Sequence, residues 1–198
     1  MKILQYTLFY LLSLTWGIIM TSVGLLAALV LLITGHKPKR FHHTIYFEVG
    51  RGWGGISLGP IILVSKNSSL HTKQHEAGHG IQNALLGPFF PLVVALPSAA
   101  RYWIYNFNST AEKKGFVAVL GCVSILLGAV AITVGAVWAL WALSAILGAI
   151  AFYVMFLVCW LWFDEIPRHI ESTPPYDSIW FEGNATKTGK KYFGGDNE

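Results

Sequence analysis

Residues 115–163 read GFVAVLGCVSILLGAVAITVGAVWALWALSAILGAIAFYVMFLVCWLWF, and no charged side chain interrupts these 49 positions. A helix crosses the hydrocarbon layer of a bilayer with about 20 apolar residues. The run is therefore long enough for two crossings and predicts a transmembrane hairpin over 115–163. Gly121, Gly128 and Gly135 recur every seven residues, a stripe of small side chains that lets two membrane helices approach closely. Trp138 and Trp141 mark the interfacial turn of the hairpin, and Trp160 and Trp162 its return to the first interface.

Moving outward, residues 3–34 also carry no charge, and a third transmembrane helix is predicted over 8–34. Lys37, Lys39 and Arg40 stop it. The apolar run is about twice the 7–15 residues of a signal-peptide core and ends in ITGHKPKR without a small-x-small cleavage site, so it reads as an anchor. Over the whole chain 12% of residues are charged and the mean hydropathy is +0.53, against about 25% charged in soluble domains. The net charge of +4 reports membrane topology, and no nucleic-acid partner is expected. Cys122 and Cys159 both fall in the hairpin, where they read as buried thiols and offer neither a disulfide framework nor a CxxC metal pair.

Between the apolar runs the pattern changes. In TIYFEVGRGWGGISLGPIILVS, residues 44–65, Ile45, Phe47 and Val49 alternate with Tyr46 and Glu48, the period of a half-buried strand. RGWGG, 51–55, is a turn, and Ile61 to Ser65 a second strand, giving a β-hairpin or a pair of neighbouring strands. Asn67, Ser68 or Ser69 then caps a helix that runs to about Leu86, ended by Gly87 and Pro88. Residues 88–106 begin with a short apolar run broken by Pro91 and Pro97, which suits a re-entrant or interfacial segment. If that segment does not span, thirteen of the fourteen Lys and Arg residues lie on one side of the membrane, with Lys2 opposite. The positive-inside rule then predicts three transmembrane helices, an outside N-terminus and both polar regions in the cytoplasm. The expected fold is a mainly α membrane protein of one domain, 1–198, with a small β-hairpin and a polar helix at the membrane surface.

That polar helix carries HTKQHEAGHGIQ, residues 71–82. Within it HEAGH, 75–79, fits H-E-x-x-H, whose i, i+4 histidines share a helix face and can reach one ion. Glu76, beside the first ligand, can take a proton from the attacking water. His71 lies on the same face, but it stands eight residues from His79, about 12 Å along the axis. One ion with metal–nitrogen bonds of about 2 Å cannot hold all three, so His71 is a rim residue.

A catalytic zinc needs a third protein ligand and an open position. Position 85, where an extended motif would place histidine, is Leu. The carboxylates on the same side of the membrane are Glu112, Asp164, Glu165, Glu171, Asp177, Glu182, Asp196 and Glu198. Glu182 is best placed: a helix over 176–189, capped by Asp177 or Ser178, puts it in the middle, with Ala185 and Thr186 forming a small packing face. The other reading of that segment is an ordinary amphipathic helix with Glu182 in solvent. His169 is the second candidate ligand. Glu182 can meet His75 and His79 only if an even number of crossings separates them, and the three-helix topology supplies two.

HEAGH followed by E-x-x-A at Glu182 to Ala185 resembles the gluzincin class of zinc metallopeptidases. The stretches GGISLGPIILV and HEAGHGIQNALLGP, with the ALPS that follows, are similar to a group of small bacterial membrane proteins with an HEYGH-type motif. The resemblance implies one zinc ion held by His75, His79 and Glu182, Glu76 as general base, and an upstream strand edge against which an extended peptide pairs. Thr186 stands where the gluzincin pattern has the Asp that supports a histidine ligand. The expected activity is a membrane-anchored zinc metalloprotease of the inner membrane, its site cytoplasmic and its substrate a peptide or membrane protein. The alternative is a non-catalytic membrane protein with a structural zinc site or scaffold role. Oligomeric state is not legible.

Overall fold

The computed structural model describes residues 2–138, 140–172 and 174–193. The chain is mainly helical, with one four-stranded sheet. The chain divides into two compact units: Met1–Leu96 with Pro175–Glu198, and Pro97–Pro174.

In the first unit, the apolar run expected as one helix over 8–34 forms two, α1 (Lys2–Leu14) and α2 (Ile18–Ile33), bent by 91°. The cause is local. The Gly17 amide bonds the Leu12 carbonyl at 2.7 Å, one residue out of α-helical register, and the Ser13 carbonyl accepts instead from the Thr21 hydroxyl at 2.8 Å. The Trp16 indole donates to the Leu85 carbonyl at 3.2 Å, which holds the corner in place. A Cβ at Gly17 would fall 2.6 Å from Asn83 Nδ2, so glycine also lets the corner close on its neighbour.

The sheet contains β1 (Lys39–Phe41), β2 (Thr44–Glu48), β3 (Gly55–Leu58) and β4 (Ile61–Val64) in the order β1-β2-β4-β3. The two expected strands, β2 and β4, are neighbours, but parallel: Ile45 faces Ile61 and Phe47 faces Leu63. β3, from the glycine-rich stretch read as a turn, makes the hairpin with β4. It occupies one edge of the sheet. Gly24 of α2 lies so near β3 that a Cβ there would be 2.3 Å from the Leu58 carbonyl oxygen. Phe47, Ile61 and Ala28 are buried together where α2 meets the sheet.

α3 (Leu70–Leu86) is capped by Ser69, whose hydroxyl accepts from the Thr72 amide at 3.1 Å, one of the three capping candidates. Gly87, at φ +57°, ends it in a backbone conformation that costs glycine little. A 3-10 turn, Gly87–Phe89, and a π-helical turn, Pro91–Ala95, follow. The last element of this unit, α8 (Trp180–Phe193), starts four residues later than expected because a 3-10 turn occupies Tyr176–Ser178 and Ile179 is extended. Glu182 therefore sits in the first turn of α8, not its middle.

The second unit holds α4 (Leu96–Asn106, from Pro97), α5 (Thr110–Trp138), α6 (Trp141–Trp160), a π-helical turn Leu161–Glu165, and α7 (Ile166–Glu171). A capping box starts α5: the Ser109 hydroxyl accepts from the Glu112 amide, and Glu112 accepts from the Ser109 amide at 3.0 Å. Among the described residues, Thr110–Trp138 and the continuous Trp141–Glu171 are each long and apolar enough to cross a membrane, a count that rises to as many as four if each bent helix pair is one span. The glycine stripe faces α6, with Gly121 against Val158 and Gly128 against Ala151. Ser124 donates to the Ala151 carbonyl at 2.6 Å. Cys122 and Cys159 are free and exposed rather than buried, because they point away from the α5–α6 seam. Arg101 and Glu165 form a fully buried ion pair that ties α4 to the π-helical turn.

Candidate metal centre

The i, i+4 spacing on α3 puts the rings of His75 and His79 side by side, 4.7 Å between centroids. Across from them, α8 lies with its backbone against that of α3. A Cβ at Gly78 would fall 2.1 Å from the Ala185 carbonyl oxygen, and one at Gly189 would fall 2.0 Å from that of Gln74. Glycine at both places is what lets the two helices touch. Gln74 Nε2 also donates to the Phe193 carbonyl at 3.1 Å, pinning the end of α8. Docking at this distance brings Glu182 Oε2 to 3.1 Å from both His75 Nε2 and His79 Nε2. The ligand atoms of these three residues all lie within 4.8 Å of one another.

Each imidazole is held from behind. His79 Nδ1 is 2.7 Å from Gln82 Oε1. The orientation of that amide is set by its other end, since Gln82 Nε2 donates to the Phe181 carbonyl at 2.8 Å and to Asn184 Oδ1 at 3.0 Å. An amide oxygen only accepts, so His79 carries a proton on Nδ1 and turns its Nε2 toward Glu182. His75 Nδ1 is 2.9 Å from Thr186 Oγ1, and the hydroxyl orients that ring whichever of the two atoms donates.

Two imidazole nitrogens and a carboxylate oxygen thus converge on one point, a donor set that a proton or a cation can bridge. The spacing fits a cation. Bonds of about 2.0–2.2 Å at tetrahedral angles separate ligand atoms by roughly 3.3–3.6 Å, a few tenths wider than the 3.1 Å contacts seen. Glu182 is 0% exposed and His79 6%, so water screens the charge poorly. The buried His75, His79 and Glu182 group could hold a metal ion.

Glu76 adjoins this group on α3 and is itself 6% exposed. Burial pushes its carboxyl up to about 7, with His75 pulling it down and Glu182 pushing it further up. Its other neighbour is the edge strand: a Cβ on Gly55 would lie 2.7 Å from Glu76 Cγ and 2.8 Å from Oε1.

The remaining candidates lie elsewhere. His71 is exposed and stacks at 6.5 Å on the His75 ring, outside the ligand group. His169 belongs to the second unit, where its Nδ1 lies 2.8 Å from the Glu165 carbonyl oxygen. Glu165 pairs with Arg101, Asp164 with Arg168, and Glu112 caps α5. Asp196 and Glu198 lie outside the described residues. Sequence reasoning missed Gln82 as a support for His79, although it stands three residues on and so on the same helix face. The support that Thr186 gives His75 was also missed, and only the docking of α8 reveals it. No protein-family model, curated protein or solved structure matches the chain.

Proposed function

We propose that this chain is a membrane-embedded zinc metallopeptidase that hydrolyses peptide bonds in an extended segment of a peptide or membrane protein. The observation that carries the reading is the convergence of His75, His79 and Glu182 on one point with the Glu76 carboxyl alongside. Two imidazoles and a carboxylate are a donor set characteristic of catalytic zinc sites, which leave the fourth position for water. Zinc in such a site lowers the pKa of its water toward 7 and polarises a carbonyl.

The chain's own residues supply the rest. Glu76, with its pKa lifted by burial, takes the proton of the attacking water and returns it to the departing amine, the two halves of general acid–base catalysis. Thr186 and Gln82 fix the imidazole orientations. β3 carries the substrate: Ser65 bonds the Gly54 carbonyl on the β4 side. In the alternating antiparallel pattern that leaves the N–H and C=O groups of Gly55 and Ser57 facing the open edge. An extended peptide added there lies beside Glu76.

In the bilayer, α5 and α6 are two crossings and the bent α1–α2 pair is taken as the third, with the metal site on the basic, cytoplasmic side. The test is direct. Purified protein should carry about one zinc per chain, lost in Glu182→Ala, and Glu76→Gln should keep the zinc while abolishing cleavage of an unstructured peptide. Cleavage by Glu76→Gln would overturn the mechanism.

The near-complete burial of Glu182 and His79 favours a second reading, a structural zinc with no exchangeable water. Cobalt-substituted protein separates the two, because only an open site changes its visible spectrum on adding azide or a hydroxamate.

A further inference from the structure

The second unit holds a cleft where the ends of the membrane hairpin come together. The uncharged run begins one residue after Lys114 and ends at Phe163. Antiparallel packing of α5 on α6 returns the chain at Phe163 to the level of Lys114. A cavity of about 430 Å³ opens there, lined by Lys114, Trp162, Phe163, Ile166, Ile170 and Glu171. By its place in the sequence this is headgroup level, the boundary between a charge-free stretch and the first charges beyond it.

The lining contains one cation, one carboxylate and otherwise aromatic or aliphatic surface. Lys114 Nζ stands 5.8 Å from the Trp162 ring centroid. Phe163 is exposed beside it, apolar surface at the depth where acyl chains begin. The π-helical turn Leu161–Glu165 closes with the Ile166 amide bonding the Leu161 carbonyl. The next bond in that register would run from residue 167 to the Trp162 carbonyl, but Pro167 has no N–H to give.

We propose that this cleft binds the headgroup of a zwitterionic aminophospholipid of the ethanolamine type, its phosphate on Lys114 and its ammonium on Glu171. The carboxylate is what selects the class. An anionic headgroup would meet Lys114 favourably but Glu171 with repulsion. A choline headgroup has the right charges, yet its quaternary nitrogen has no N–H for a carboxylate, whereas a primary ammonium has three. The acyl chains then follow Phe163 and Ile166 into the bilayer.

The test uses the full chain in nanodiscs of equal ethanolamine, glycerol and choline phospholipid, followed by native mass spectrometry of the lipid that stays bound. The wild type should retain one ethanolamine lipid in preference to the other two. Lys114→Gln should lower that occupancy about fivefold, the scale of one exposed charge contact. Glu171→Gln should bring the ethanolamine-to-glycerol ratio toward one, and Glu171→Lys should invert it. Both side chains lie on the surface, and unchanged helix content by circular dichroism confirms that the variants fold. Retention of no lipid, equal retention of all three, or a ratio unmoved by both changes at Glu171 would overturn the proposal.

Discussion

Thr186 Oγ1 stands 2.9 Å from His75 Nδ1, so a hydroxyl on α8 steadies a metal-binding imidazole on α3. Partners of this kind typically account for 10–100-fold in metal affinity. Thr186→Val, which keeps the shape and removes the hydroxyl, should weaken zinc binding about tenfold, measured by competition with a fluorescent chelator. Thr186→Asp should bind zinc at least as tightly as the wild type. Equal affinity in Thr186→Val would show that the ring is oriented by packing alone.

Gly55 sets where Glu76 can sit. An alanine Cβ there would fall 2.7 Å from Glu76 Cγ, so Gly55→Ala should push the carboxyl aside without touching His75, His79 or Glu182. Misplacing a catalytic group by about 1 Å can cost on the order of 100-fold in rate. The expected result is a loss of kcat of that order with zinc content unchanged. If zinc is lost as well, Gly55 supports the whole site and not the base.

His43 gives the fold a pH dependence of known sign. It is 5% exposed and packs between Phe9, at 4.0 Å between ring centroids, and Phe193, at 4.8 Å. Burial, with a smaller push from His42, lowers its pKa from 6.5 to about 4. Between those values the unfolded chain takes up a proton that the folded one refuses, so stability falls as pH drops from 6.5 and levels off below 4. The full effect is about 3 kcal/mol. The melting temperature of His43→Phe relative to the wild type should be higher at pH 4.5 than at pH 7 in detergent, a comparison in which the opposite contribution of Glu76 cancels.

The Arg101–Glu165 pair makes a further prediction for the second unit. Both residues are 1% exposed, so removing one leaves the other charged and buried, at a cost of about 3–5 kcal/mol. Arg101→Met or Glu165→Leu alone should reduce the yield of folded protein sharply, while the double substitution should recover much of it. Size-exclusion profiles of the three variants are the measurement.

How much was legible follows from what kind of force places each residue. The hairpin 115–163 could be read because lipid imposes a composition on every position it touches. α3 could be read because its cap, its stop and its i, i+4 histidines are all local. The corner at Thr15–Gly17 was invisible, since hydropathy is uniform across it and the bend depends on Trp16 and Gly17 meeting α3. β3 was missed because Gly55–Leu58 is short and glycine-led, and only the neighbouring strand makes it extended. Glu182 could be singled out from its surroundings, yet its place in the first turn of α8 depends on a 3-10 turn that the proline pair does not announce. Gln82 is an i+3 neighbour of His79 on α3, but its amide is turned by contacts with α8, and Thr186 acts across helices, where sequence distance carries no signal.

Glu182 follows His79 by 103 positions, and the membrane hairpin is synthesised between them. A nascent chain therefore exposes two histidines long before the third donor exists. If α5 and α6 cross a membrane, the three donors can meet only once both have done so and α8 has been released on the side of α3. If only one of the two helices has crossed, Glu182 is left on the far side from His75 and His79 and the centre stays incomplete.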